Sequence, residues 1–156
     1  MPSTARKHGR RRREALALLV VLALSAGGMT AAVAQSSAGY RVVTHPNNSA
    51  QSVERNWLTD AFLKKTTRWP SDEPIYPVDQ GADAAVRQRF SESVLRRSVF
   101  AVRSYWQQLI FAGRGLPPPE LESDEAVLRY VQSRPGAIGY VSDRAQIGNA
   151  KVLSVR

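Results

Sequence analysis

Two turns and one arginine are the residues whose types and spacing best suit chemistry, and that chemistry is anion binding. The turns run from Asn47 to Ser52 and from Gln80 to Ala84, and each leads into a predicted helix. Amide groups at a helix N-terminus hold oxyanions because they donate hydrogen bonds at the positive end of the helix dipole. Arg87 could add a charge-assisted contact, although pairing in solvent with Asp83, four residues earlier, is the simpler expectation. The candidate ligand-binding residues are Asn48, Ser49, Gly81 and Arg87.

Catalytic chemistry finds little support in the sequence. The chain has no cysteine, and His45 is the one histidine beyond the first 34 residues. A Ser-His-Asp arrangement would therefore depend wholly on His45, and no Gly-x-Ser-x-Gly motif accompanies it. Neither a metal-ligand spacing nor a phosphate-binding P-loop occurs. We expect no catalytic residue, no metal and no cofactor, and a hydrolase using His45 is the weakest hypothesis.

The N-terminus has the pattern of a secretory signal peptide. A basic stretch from Arg6 to Arg13 precedes an apolar run from Ala15 to Ala26, and Ala32-Val33-Ala34 supplies a small-x-small cleavage site. Cleavage would leave Gln35 as the first residue. The apolar run falls short of the roughly 20 residues that a membrane span needs, so we expect an exported, soluble product without stable membrane insertion. An uncleaved anchor is the alternative, and the pattern leaves Sec and twin-arginine export open.

Export changes how the net charge is interpreted. The whole chain carries +9, but six of its 22 Lys/Arg and one of its 13 Asp/Glu lie in residues 1–34, which leaves +4 for residues 35–156. This mild and dispersed charge does not suggest nucleic-acid binding. Residues 35–39 are predicted to form a flexible leader, and residues 40–156 are long enough for one domain.

Periodicity in residues 40–156 predicts strands that alternate with helices. Phe62, Phe90, Trp106 and Ile138 should share one core, while Trp69, in a loop, could be buried or could line a pocket. This order of elements is typical of an α/β fold with a small mixed, partly parallel sheet and about four helices. The expected strands are 40–44, 74–79, 137–142 and 151–155, and the expected helices are 53–64, 83–95, 99–112 and 124–133.

The segment from Arg134 to Ser142 is the most informative part of this pattern. Pro135 resists continuation of a helix, and Gly136 suits a reversal with positive φ before a buried strand. Gly139 lies inside that strand, where a glycine usually allows a close approach by a neighbouring element or a ligand.

Three stretches resemble the phosphate-binding branch of the type 2 periplasmic solute-binding proteins of ABC uptake systems. Trp57 to Trp69 resembles a helix that ends in a Phe-x-Gly-Lys turn before a tryptophan loop. Pro74 to Asp79 resembles the strand that follows, and Gly136 to Val141 resembles a late Gly-Ala-Ile-Gly-Tyr strand. The resemblance implies one lobe of a periplasmic-binding-protein-like fold, because the chain is too short for two lobes.

Two positions depart from the family pattern. Lys64 stands where the family has the glycine of its turn. The family's Ser-Gly-Thr phosphate loop falls on Asp83 to Val86 when Phe90 is matched, and no hydroxyl remains there. The sequence therefore predicts a non-enzymatic, solute-binding-protein-like domain with a degenerate phosphate loop. Its partner would be a small oxyanion or another small solute. The alternative is a secreted interaction or sensory module that has lost solute binding and contacts an envelope protein.

Overall fold

The structure is a computed structural model, and it describes residues 39–156. The predicted signal peptide, 1–34, and nearly all of the predicted leader lie outside the described residues. The strands are β1 (Tyr40–Thr44), β2 (Ser52–Val53), β3 (Tyr76–Pro77), β4 (Asp79–Gln80), β5 (Glu120–Leu121), β6 (Ala137–Ser142) and β7 (Lys151–Val155). The helices are α1 (Arg55–Phe62), α2 (Ala85–Phe90), α3 (Val99–Phe111) and α4 (Asp124–Ser133), and α2 continues into a π-helical segment, Ser91–Leu95.

The main sheet is mixed, with the order β2-β7-β1-β6-β3. β1 is antiparallel to both of its neighbours, β6 and β7, whereas β3 runs parallel to β6 and β2 runs parallel to β7. β4 and β5 form a separate two-stranded parallel ladder. The predicted α/β fold with a small, partly parallel sheet is thus confirmed.

Helices cover both faces of this sheet and create two apolar clusters. Val42 belongs to the cluster under α1, α2 and α3, whereas its neighbour Val43 belongs to the cluster under α4, because successive side chains of a strand point to opposite faces. The first cluster contains all four residues predicted to share a core: Phe62, Phe90, Trp106 and Ile138. The described residues form one compact unit.

Gly136 and Gly139 are required for reasons that the sequence only partly specified. Gly136 has φ of 77°, and a Cβ at this position would lie 2.1 Å from the carbonyl oxygen of Pro74. A Cβ on Gly139 would lie 2.7 Å from Val127 Cγ1 and 2.8 Å from Val78 Cγ1. The close approach at Gly139 is therefore made by α4 and the chain after β3.

Four sequence expectations about element boundaries were wrong. The single strand expected at 74–79 divides into β3 in the main sheet and β4 in the separate ladder. The first helix begins at Arg55 and not at residue 53, because Ser52 and Val53 pair with β7. The Arg55 amide donates to the Arg156 carbonyl at 2.8 Å. The second predicted helix divides into α2 and the π-helical segment. Glu120–Leu121 forms a strand within a stretch that has no strand pattern.

Candidate functional site

The carboxyl ends of β3 and β6 are the part of the described fold most suited to a ligand. The two strands are parallel, so the chain leaves both at one edge of the sheet, where open α/β sheets bind ligands. Asp79 and Gln80 follow β3, Ser142 ends β6, and Asp124 begins α4 beside them. This edge is polar although the strands that lead to it are apolar.

Its centre is a buried group of four residues that we call the Asp79 cluster: Asp79, Gln80, Arg87 and Tyr140. Asp79 is 3% exposed and Arg87 is 2% exposed. Arg87 Nη1 pairs with Asp79 Oδ1 and also donates to the Gln80 carbonyl at 3.2 Å. The Tyr140 hydroxyl donates to the same carboxylate oxygen, which also accepts the Gln80 amide at 3.0 Å. The arginine charge is therefore neutralised inside the protein.

A second set of hydrogen bonds ties this cluster to α4. Gln80 Nε2 donates to Asp124 Oδ1 at 2.7 Å and to the Tyr140 carbonyl at 3.0 Å. The Asp124 carboxylate also accepts the amide of Ser142 at 3.0 Å and its hydroxyl at 2.5 Å. The polar groups at this edge thus bind one another and fix α4 to the end of β6.

Burial governs the electrostatics of the cluster. Removal from water lowers the pKa of Arg87, and the nearby Arg103 lowers it further, while Tyr140 and Glu120 act in the opposite direction. Burial also raises the pKa of Tyr140, which keeps the phenol protonated. Glu120 Oε1 lies 3.9 Å from Arg87 Nη2 and supplies a second, more exposed counter-charge. The expectation that Arg87 would pair with Asp83 in solvent was wrong, because Arg87 turns inward to the carboxylate after β3.

Gly81 lies beside the cluster, but its amide is already used. The Gly81 amide donates to the Leu121 carbonyl at 3.1 Å, and its own carbonyl accepts the Ala84 amide at 3.0 Å. A Cβ on Gly81 would lie 3.8 Å from Glu122 Oε2, so a carboxylate borders the turn. The sequence predicted amides at this turn that could bind an anion. In the structure an anion at Gly81 would instead meet the negative charge of Glu122.

Asn48 and Ser49 lie in the loop after β1. Asn48 is buried: its amide donates to the His45 carbonyl at 3.0 Å, and its Oδ1 accepts the Ala50 amide at 2.9 Å. Lys151 Nζ donates to the Asn48 carbonyl at 2.7 Å, whereas Ser49 is exposed. The expectation that this loop leads directly into a helix was wrong, because β2 lies between the loop and α1.

The topology separates the two halves of the predicted site. Thr44 at the end of β1 and Pro77 at the end of β3 both pair with Ile138, but β1 and β3 run in opposite directions. Gln80, in contrast, lies near Tyr140, further along β6. From Ile138 to Ser142 a strand rises about 13 Å. The structure therefore brings Gly81 and Arg87 together but places Asn48 and Ser49 at the other end of the sheet.

Sequence reasoning missed the partners of Arg87. The sequence pattern places Asp79 at the end of a strand, Gln80 in a turn and Asp124 at the start of a helix. Tyr140 did carry a signal, because a tyrosine inside a fully apolar strand needs a hydrogen-bond partner for its hydroxyl. Trp69 could be buried or could line a pocket according to the sequence. In the structure it is buried and donates from Nε1 to the Gly136 carbonyl at 3.0 Å.

The residues suited to catalysis or metal binding remain scattered. Among residues 39–156, no group of three or more His, Cys, Asp or Glu side chains is placed to hold a metal ion. His45 lies in the loop after β1, and its Nδ1 accepts the Asn47 amide at 3.2 Å. Because Nδ1 accepts a hydrogen bond here, it does not donate to a carboxylate as the histidine of a Ser-His-Asp triad does.

Comparison with solved structures relates this fold to known proteins. A putative phosphate ABC transporter substrate-binding protein from Clostridium perfringens, solved with bound phosphate, has a TM-score of 0.58 and 21% identity over 75% of this chain and 44% of its own. An ABC-type phosphate transport receptor from Vibrio cholerae has a TM-score of 0.58 and 17% identity over 75% of this chain and 46% of its own. PstS from Borrelia burgdorferi has a TM-score of 0.58 and 12% identity over 76% of this chain and 47% of its own.

The chain has the fold of phosphate-type solute-binding proteins. These identities show the fold alone, and this chain spans less than half the length of each of the three proteins. Neither a protein-family model nor a curated protein matches the sequence. The resemblance inferred from Gly136 to Val141 and the two other stretches is confirmed, and the single-lobe interpretation agrees with the share of the relatives that is covered.

Proposed function

We propose that this chain is an exported, non-enzymatic domain of the solute-binding-protein type whose oxyanion position is filled by its own carboxylates. One observation carries the proposal. Arg87, the buried cation at the ligand-binding edge of the sheet, is paired with Asp79 and lies near Glu120. These carboxylates reduce the positive charge that Arg87 presents to an anionic solute, since opposite charges at short range offset each other.

The surroundings of the turn support the same conclusion. The family's Ser-Gly-Thr loop falls on Asp83 to Val86, which offers no hydroxyl donor. Asp83 is exposed there, and Glu122 borders Gly81. A phosphate dianion would meet two carboxylates before it reached Arg87. Any solute of this domain should therefore be less negatively charged than phosphate.

Export is the second part of the proposal, and residues 1–34 support it by their pattern. No helix in the described part of the chain is long and apolar enough to cross a membrane. We expect cleavage between Ala34 and Gln35, which N-terminal sequencing of secreted protein would show. Recovery of intact Met1 to Ala34 on a membrane-bound product would contradict this prediction.

A thermal-shift screen of residues 35–156 tests the solute-binding proposal. The screen would compare neutral and zwitterionic metabolites with inorganic oxyanions. Because a ligand that binds only the native state raises its stability, a true solute should raise the melting temperature as its concentration rises. The proposal expects a stabilising compound among the neutral or zwitterionic ones, and a screen in which oxyanions alone stabilise would contradict it.

A secreted interaction module without solute binding is the second candidate, and exposed apolar side chains favour it. Phe100, Phe111 and Leu116 lie largely in solvent in the structure. Exposed apolar side chains that are grouped on one surface are typical of a region that another component covers. Two results together would replace the first candidate with this second one. The screen would find no stabilising compound, and the substitutions at Phe100 and Phe111 described below would abolish binding to an envelope protein.

A further inference from the structure

The outer face of α3 carries large apolar side chains that are exposed to solvent. We define this face as Phe100, Arg103, Gln107, Ile110 and Phe111, which are exposed and recur at helical spacing, whereas Val102 and Trp106 are buried. Phe100 is 79% exposed and Phe111 is 89% exposed, and Ile110 also faces solvent. Leu116, in the loop that follows, is 68% exposed. The face therefore presents large apolar side chains that the described chain does not cover.

Positive charge surrounds these apolar side chains. From Ser93 to Pro119 the sequence contains no Asp or Glu. The four arginines of this stretch are all exposed, and none forms a salt bridge with a carboxylate among residues 39–156: Arg96, Arg97, Arg103 and Arg114. A complementary partner must therefore be negatively charged as well as apolar.

The shape of the face favours a fluid partner. Phe100 and Phe111 are eleven residues apart, which is about three helical turns, so they lie in line roughly 16 Å apart. Arg103 and Gln107 lie between them on this face, so the two rings project from either end of a polar stretch of the helix. A protein partner would need separate pockets at matched positions, whereas a lipid interface adapts to such projections and offers phosphate groups to the arginines.

We propose that the outer face of α3 docks this domain on an anionic lipid surface. Phe100 and Phe111 insert among the headgroups, and the flanking arginines bind lipid phosphates. This inference goes beyond the proposed function, because it uses no residue of the Asp79 cluster and holds whether or not a solute binds.

Cosedimentation with vesicles tests the proposal. Residues 35–156 are used because the described residues form one compact unit and because the basic N-terminus would itself bind anionic lipid. We expect binding to vesicles of phosphatidylcholine with phosphatidylglycerol, little binding to phosphatidylcholine alone, and weaker binding at high salt. Phe100→Ser combined with Phe111→Ser should lower the partition coefficient by at least about tenfold.

A matched pair of arginine variants separates the α3 surface from general charge. Arg114→Gln should weaken binding by about fivefold, which corresponds to the usual contribution of one basic residue near a membrane surface. Arg129→Gln removes an exposed arginine from α4, on the other side of the sheet, and should leave binding within about twofold. An unchanged melting temperature of each variant would show that folding is intact.

Three outcomes would overturn the proposal. The first is failure to bind the anionic vesicles, and the second is binding that both phenylalanine substitutions leave unchanged. The third is a concentration-dependent dimer that the phenylalanine substitutions abolish in the absence of vesicle binding, which would assign the face to a second copy of the chain. Saturable binding to an acidic protein without binding to lipid would overturn it equally.

Discussion

Arg87 and Asp79 form the buried ion pair on which the proposed weakness of phosphate binding depends. A buried ion pair contributes little net stability, because desolvation of both charges offsets their attraction, but removal of one partner leaves an uncompensated charge. Arg87 also donates to the Gln80 carbonyl, and Tyr140 donates to Asp79. The pair therefore holds the edge of the sheet together in addition to neutralising Arg87.

Breaking the pair from one side should cost more than replacing both partners. We expect Arg87→Met alone to lower the free energy of unfolding by about 3–5 kcal/mol, because Asp79 is left buried without its cation. The double variant Asp79→Asn with Arg87→Met should lose less free energy of unfolding than the sum of the losses in the two single variants. Urea unfolding of the four proteins gives the coupling energy, and a value near zero would show that the pair does not act as a unit.

Tyr140 should make stability depend on alkaline pH. Burial raises its pKa in the folded protein above the value of about 10 in the unfolded chain. This contribution is fully present below about pH 10 and is lost as the pH rises through the unfolded value towards the folded one. Tyr140→Phe should be less stable than the original protein near neutral pH, because the hydrogen bond to Asp79 is gone. The difference should narrow above about pH 10 in urea unfolding, and a constant difference would contradict the assignment.

At the scale of elements, the end of α1 shows a left-handed C-terminal cap that forms without glycine. Lys64 occupies the glycine position of the Phe-x-Gly-Lys turn and has φ of 53°, in the left-handed region. Its amide donates to the Ala61 carbonyl at 3.1 Å, and the Lys65 amide donates to the Asp60 carbonyl at 2.8 Å. The C-terminal cap therefore forms although a side chain is present, at a cost in backbone strain.

Lys64→Gly should relieve this strain. We expect the free energy of unfolding to rise by about 0.5–1 kcal/mol, a gain that the greater freedom of glycine in the unfolded chain limits. Lys65→Gly is the matched control, because Lys65 does not have a positive φ, and it should not stabilise the protein. Equal effects of the two substitutions would show that the left-handed conformation of Lys64 costs nothing.

Elements with strong local patterns could be predicted from the sequence, and those that depend on distant pairing could not. α4 follows from Ser123 as its N-cap and from the apolar spacing of Val127, Leu128 and Val131, and the structure places it at the predicted residues. β5 and β2 have two residues each and no pattern of their own, since their partners lie far away in the sequence.

The candidate site was the less predictable part for the same reason. Arg87 could be selected from its position in α2, but Asp79 lies in β4 and Tyr140 lies in β6. Only the packing of these three elements shows that Arg87 is paired with a carboxylate. The separation of Asn48 from Gly81 likewise follows from opposite strand directions, which local sequence does not encode.

At the scale of the whole molecule, the described chain corresponds to less than half of the solved solute-binding proteins that share its fold. Each hydroxyl donor lost from a charged oxyanion forfeits about 1.5–3 kcal/mol, so the absence of two from the Asp83 to Val86 turn weakens binding by on the order of a hundredfold to ten-thousandfold. Asp83 and Glu122 add repulsion. Asp83→Asn combined with Glu122→Gln should remove that repulsion and strengthen any residual phosphate binding, which makes this variant the control for the measurement below.

Calorimetric titration of residues 35–156 with inorganic phosphate at moderate salt tests the central claim most directly. We predict a Kd no tighter than about 10 μM. The buried guanidinium of Arg87 is already paired with the carboxylate of Asp79, and the turn from Asp83 to Val86 offers no hydroxyl donor. Submicromolar binding by the monomer would contradict the account and would show that the amides near Gly81 form a complete site. Submicromolar binding by a dimer alone would also contradict it, because a second copy would then supply the missing half of the site.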